Sequence, residues 1–111
     1  MQLVRLIVNV EFINKDLEEL YINGTSKRFS KVPPEVARKL VRAVDVLESS
    51  TSIQGIWKFP AYKFEKLQGN ERYSMRLNRI WRLELTVRWV DDTKVTIDVI
   101  NLVDLTHHYG G

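Results

Sequence analysis

Tyr73-Ser74-Met75-Arg76-Leu77-Asn78-Arg79-Ile80-Trp81-Arg82-Leu83-Glu84-Leu85-Thr86-Val87-Arg88-Trp89 decides the fold. Tyr73, Met75 and Leu77 alternate with Ser74, Arg76 and Asn78, and Trp81, Leu83, Leu85, Val87 and Trp89 alternate with Arg82, Glu84, Thr86 and Arg88. A period of two is the signature of strands with one buried face. The tight connection at Asn78-Arg79 predicts two adjacent antiparallel strands.

The pattern continues on both sides. Asp91-Asp92 predicts a hairpin turn, followed by Val95, Ile97 and Val99 set against Lys94, Thr96 and Asp98. Upstream, Tyr62 and Phe64 alternate with Lys63 and Glu65, so a strand is expected from Tyr62 to the turn Gln68-Gly69-Asn70. Val4, Leu6, Val8, Val10 and Phe12 predict a first strand. Between these lie two helices. Asn14 can cap one from about Lys15, with Leu17, Leu20 and Tyr21 on one side, and Asn23-Gly24 ends it. Pro33-Pro34 opens the other, since proline suits the first helical turn; Val36, Leu40, Val41, Val44 and Leu47 then recur at helical spacing. Residues 53–60 connect it to the sheet and have room for a short helical turn. The expected class is α+β, with two N-terminal helices packed on one face of a mainly antiparallel twisted sheet.

Composition sets the outer limits. The 111 residues fit a single domain spanning 1–111, and an apolar fraction of 44% with 28% charged residues is that of a globular chain. No apolar run approaches the roughly 20 residues that span a bilayer, and Arg5, Asn9 and Glu11 interrupt any secretory signal, so a cytoplasmic protein with no membrane partner is expected. Without cysteine there is no disulfide, thiolate chemistry or Cys-based zinc site. The net charge of +3 is unevenly spread. Residues 57–90 carry eight Lys/Arg against three acids, a balance of +5 that leaves the rest of the chain at −2. Either this segment faces a polyanion, or it is a solvated sheet face whose arginines protect against edge pairing.

Alternation sends Lys63, Glu65, Ser74, Arg76, Arg82, Thr86 and Arg88 to the face opposite the aromatic set. Arginines gathered there can hold phosphate through bidentate, charge-assisted hydrogen bonds. On pattern alone, Glu65 among them is as simply an ordinary cross-strand ion pair. Glu84 is expected to be a surface partner for an arginine, Trp81 and Trp89 core residues, and Trp57 either core or part of a docking surface. The loop Lys27-Arg28-Lys31 is basic and solvated, and can touch RNA.

The segment Tyr62-Lys63-Phe64-Glu65-Lys66-Leu67-Gln68-Gly69-Asn70, followed by Tyr73 to Leu83, resembles the core signature of HigB-type toxins of the RelE/ParE superfamily, approximately "R/K-L-H-x-L-K-G … W-S-I-R-V-N-x-x-W-R-I". Val32-Pro33-Pro34-Glu35 through Leu40 resembles the family's helix start, and Asp98 to Asp104 its final strand. The resemblance covers about residues 25–108, and its Ser-x-Arg-Leu-Asn-x-x-Trp-Arg core is the specific part. It implies a RelE-like, microbial-ribonuclease-like sheet with helices on one side. It also implies a toxin of a type II toxin–antitoxin system that cuts messenger RNA on the ribosome and is neutralised by a cognate helix-turn-helix antitoxin. Operator DNA would be met only through that antitoxin. The same superfamily leaves two alternatives: a non-enzymatic ParE-like gyrase poison, or a degenerate module that binds antitoxin and operator.

The implied chemistry is in-line attack of a ribose 2′-OH on the adjacent phosphate. That needs a base, an acid and cations for the charge that develops on phosphorus, with no metal or cofactor. Carried across by position, the catalytic candidates are Glu65, Arg76, Arg82, Asp104, His107 and His108, and the RNA-binding candidates Lys63, Lys66, Arg72, Arg79 and Arg88. This chain departs from the family at three places. Glu65 stands where the family has His, Gln68 where it has Lys, and Asp104-Leu105-Thr106 where it has Asp-Tyr-His, with His107, His108 and Tyr109 following directly. A carboxylate can act as base but lacks imidazole's titration near neutrality. The adjacent His107 and His108 are poorly placed to converge on one metal ion.

Overall fold

The computed structural model describes residues 9–107. The order is β1 (Asn9–Phe12), α1 (Lys15–Asn23), α2 (Pro34–Ser49), α3 (Ile53–Trp57), a 3-10 turn (Pro60–Tyr62), β2 (Glu65–Lys66), β3 (Arg72–Arg76), β4 (Trp81–Trp89) and β5 (Ile97–His107). The five strands form one sheet in the order β1-β5-β4-β3-β2. The β1–β5 pair is parallel and the rest antiparallel.

Local chemistry fixes the helix ends. The Asn14 side chain accepts from the amides of Asp16 (3.0 Å) and Leu17 (3.1 Å), two donors that helix geometry leaves unpaired. Its Nδ2 donates to Val103 O of β5 at 3.1 Å, so the same residue ties α1 to the sheet. Gly24 takes the left-handed conformation at φ 76° and closes α1, its amide donating to Leu20 O. Proline opens α2 at its first position, as the sequence implies.

The core forms where the helices meet one sheet face. Leu17 and Leu20 of α1 and Val36, Leu40, Val44 and Leu47 of α2 are buried against Met75, Leu83, Leu85, Ile100 and Leu102. Full burial of each such side chain contributes about 1.5–3 kcal/mol. Ile56 of α3 joins them. Trp81 and Trp89 are half-buried against this core, while Trp57 is exposed. Among the described residues no helix is long and apolar enough to cross a membrane.

The α+β layering matches the expectation, with differences in detail. The helical layer follows a strand and includes the short α3, in line with the first-strand pattern and with the helical turn allowed in residues 53–60. The first-strand residues before Asn9 lie outside the described residues. No strand starts at Tyr62. Pro60 seeds a 3-10 turn and Lys63 ends it at φ 45°, which leaves only Glu65–Lys66 to pair with β3. Val95 precedes β5 rather than belonging to it, because the turn after Asp91 runs on to Lys94 at φ 56°. The two late apolar stretches form one eleven-residue strand, with register shifts opposite Glu84/Leu85 and Arg88/Trp89. A bulge of this kind is invisible to strict alternation.

Candidate functional site

The face opposite the helices is a grid of polar side chains whose rows are set by strand register. One row runs Glu65, Ser74, Glu84, Asp104 across β2, β3, β4 and β5. On one side of it lies the row Arg76, Arg82, Thr106, and on the other Arg72, Thr86, Asn101 and, on β1, Glu11. Direct partners in such a ladder stand about 5 Å apart at Cβ, and diagonal neighbours about 7–8 Å. A carboxylate row is therefore flanked by arginines on both sides.

The two arginine pairs behave differently. Arg72 is engaged: its guanidinium meets Glu84 Oε1 at 3.1 Å, and Thr106 donates its hydroxyl to Glu84 Oε2 at 2.9 Å. Glu84 is thus the arginine partner the sequence suggests, held from both neighbouring strands. Arg76 and Arg82 face each other across β3 and β4, both half-buried. Among the described residues neither forms an ion pair with a carboxylate. Arg76 Nε donates to Asn78 O at 3.2 Å, which steadies its guanidinium. The turn that sets this pair is built by Asn78, whose side-chain oxygen accepts from the amides of Ile80 (2.8 Å) and Trp81 (2.7 Å). Two guanidiniums that no described carboxylate neutralises can hold an anion by charge and geometry.

Glu65 sits on this face as the register partner of Ser74, diagonal to Arg76, and is exposed. Ser74 is buried beneath the longer side chains, and its hydroxyl has no partner among the described residues. Its small side chain keeps the floor of the arginine face low.

The other candidates fall elsewhere. Lys63 is off the strands, at the end of the 3-10 turn. Lys66 shares the register of Tyr73, and its ammonium donates to the carbonyls of Leu67 (3.3 Å) and Asn70. Arg79 is exposed at the β3–β4 turn, next to the arginine pair. Arg88 pairs with Asp98 at 3.0 Å, four residues along β4 from Glu84. Asp104 is the register partner of Glu84, but its carboxylate accepts the amide of Leu105 at 2.8 Å and lies 3.9 Å from Arg28. His107 pairs with Trp81, their rings 5.0 Å apart, so it lies on the tryptophan side of the sheet. His108 lies outside the described residues. The position beside Arg82 is held by Thr106.

The structure therefore gathers Glu65, Arg76 and Arg82 on one face, and puts Asp104 and His107 at the β5 edge. There they line a cleft of about 590 Å³ with Arg28, Lys31, Trp81 and Thr106. Sequence reasoning gave this cleft no role. Its one signal was the basic loop Lys27-Arg28-Lys31, and nothing in the spacing tells that this loop meets the end of β5.

Comparison with known proteins bears on this geometry. The model of a family described as the RelE-like toxin of type II toxin–antitoxin system HigB matches residues 10–101. The toxin HigB-1 of Vibrio cholerae is 31% identical over 84 residues, covering 74% of this chain and 84% of that protein. A solved structure titled as the YoeB–YefM complex from Staphylococcus aureus aligns over 96% of this chain and 100% of its own, with a TM-score of 0.54 at 23% identity. That last likeness concerns the fold.

Proposed function

The chain belongs to the RelE-like HigB toxins of type II toxin–antitoxin systems, and we propose that it cleaves messenger RNA on the ribosome until a cognate antitoxin neutralises it. The observation that carries this reading is the facing pair Arg76 and Arg82 on the sheet face opposite the helices. Two guanidiniums without carboxylate partners among the described residues suit a phosphate whose charge grows as the 2′-oxygen attacks and the 5′-oxygen leaves. Stabilisation aimed at that developing charge is the larger share of what such a site can contribute.

In this reading the 2′-OH gives its proton to Glu65, the exposed carboxylate diagonal to Arg76. The 2′-oxygen bonds to phosphorus, the bond to the 5′-oxygen breaks, and a 2′,3′-cyclic phosphate remains. The departing oxygen takes its proton from water, since His107 lies on the tryptophan side of the sheet, away from the arginine pair. Arg79, beside the pair at the turn, would follow the neighbouring phosphate. Arg72 is engaged by Glu84, so binding RNA would compete with that ion pair. The antitoxin partner follows from the family. A helix-turn-helix protein covering the arginine face, or blocking entry to the ribosome from another side, would silence it.

The test is primer-extension mapping of transcripts after brief induction of the wild-type chain, Arg82→Ala, Glu65→Gln and a His107/His108 double alanine variant. Discrete cuts that vanish with Arg82→Ala are expected. Cuts that persist would remove the arginine pair from the chemistry. Intact transcripts with a DNA-damage response would select gyrase poisoning instead.

A further inference from the structure

We infer that the cleft at the β5 edge is a nucleobase subsite: it takes one unstacked base of the single-stranded message, together with its phosphate, one strand away from the arginine pair. The inference rests on the RNA-cleaving reading for its ligand and adds to it a place where base identity can be sensed.

Four observations converge on the cleft. Its volume of about 590 Å³ lies within the range of small-molecule sites and is ample for a nucleotide. Trp81 and His107, their rings 5.0 Å apart and 66° from coplanar, give it an aromatic wall. Every base has a π-face, and stacking on such a wall is the common mode of single-strand recognition. Arg28 and Lys31 give it two cations. Arg28 is brought to the cleft by the Phe29 ring, 5.6 Å from its guanidinium carbon, and by Asp104 at 3.9 Å. Lastly, Thr106 both lines the cleft and stands opposite Arg82. The cleft therefore lies at the β5 edge, one strand from Arg82, with its aromatic wall on the other face of the sheet, so a nucleotide farther along the same RNA strand would reach it by passing round that edge.

A peptide strand is the rival occupant, because β1 pairs only with Val99–Leu102, so that among the described residues the later part of β5 is paired with β4 on one side and with no strand on the other. The geometry disfavours it. A strand adding to an edge needs that edge's amides, and the Leu105 amide is already taken by the carboxylate of Asp104 at 2.8 Å. The aromatic wall and the paired cations suit a nucleotide better.

The experiment is an NMR titration of the full chain with the four nucleoside 5′-monophosphates, inorganic phosphate and an acidic peptide in turn. The Trp81 indole N–H is assigned from a Trp81→Phe sample, and the His107 imidazole is followed beside it. Nucleotides should shift both signals saturably where phosphate at equal concentration does not. The exposed-loop double variant Arg28→Ala/Lys31→Ala should weaken this about tenfold, the loss of roughly one good phosphate contact. Equal shifts with inorganic phosphate, or a response only to the peptide, overturn the inference. Arg82→Ala separates the two claims. If that protein no longer cuts transcripts but still shifts Trp81 with nucleotides, the subsite stands whatever the fate of the cleavage reading. If wild type cuts transcripts while nucleotides leave Trp81 and His107 unmoved, the subsite fails and cleavage survives.

Discussion

Arg76 and Arg82 are direct register partners in the β3–β4 ladder, two like charges facing across adjacent strands. Such a pair is unfavourable for folding, by a few tenths to about 1 kcal/mol. A cost kept at this position is what an anion site asks of its scaffold. Replacing Arg82 with Gln should therefore raise the unfolding free energy by about 0.5 kcal/mol while removing cleavage. Urea unfolding beside transcript mapping checks both signs. A variant that loses stability would mean that Arg82 is a structural residue.

The Glu84 carboxylate gives the opposite case. Arg72 reaches one of its oxygens and Thr106 the other. With Arg72 41% exposed, the ion pair itself is worth under about 1 kcal/mol. Thr106→Val removes the hydroxyl from a less exposed acceptor and should cost about 1 kcal/mol. A double-mutant cycle on Arg72 and Glu84 should return a coupling no larger than that, and one several times larger would show a tighter network than the distances describe.

The strands that alternate cleanly were the legible ones. Trp81 to Trp89 needs only its own period of two to be placed, and the facing of Arg76 and Arg82 follows once the Asn78 turn is recognised. Other features depended on contacts made between distant segments. The bulges in β5 decide that Thr106, not a histidine, stands beside Arg82, and a bulge answers to the pairing strand rather than to local pattern. The Tyr62–Lys63 stretch has strand-like alternation, but Pro60 starts a 3-10 turn there and the pattern is overridden. The β5-edge cleft joins residues more than fifty positions apart, so it has no trace in any window of sequence.

Asn14 has two tasks that substitutions can divide. Its oxygen caps α1 and its amide group bonds Val103 O on β5. Asn14→Asp keeps the cap and strands the carbonyl, so about 1 kcal/mol should be lost. Asn14→Ala loses cap and bridge together, about 2 kcal/mol. Equal losses for the two variants, read by thermal or urea unfolding, would show that the bridge to β5 contributes nothing.

Gly24 isolates a pure backbone effect. A Cβ built there meets nothing within 4 Å, yet the residue sits at φ 76°. Gly24→Ala should cost about 1 kcal/mol through conformation alone, and Gly24→Asn should recover part of it, since Asn tolerates the left-handed region. Gly55 is the contrast, with an added Cβ 3.1 Å from the Ser50 side chain, so its alanine variant would be felt as crowding. Should Gly24→Ala prove neutral, the left-handed cap would not be the conformation that ends α1.

Tyr21 ties alkaline stability to the α1–α2 contact. Its ring lies 5.0 Å from Phe12, and burial, with Glu48 and Asp45 of α2 adding to it, raises its hydroxyl above the usual value of 10.0. The neutral phenol is thus favoured in the folded chain. Its contribution is complete below the unfolded value, near 10, and is lost as pH rises from there through the higher folded value. Tyr62 is shifted the same way by burial, with Asp45 raising it further and Arg42 opposing. Unfolding free energy should accordingly fall above about pH 10, and Tyr21→Phe should make that fall shallower while leaving neutral-pH stability nearly unchanged. Parallel pH profiles for the two proteins would place the Tyr21 hydroxyl in free contact with water, away from the acidic side of α2.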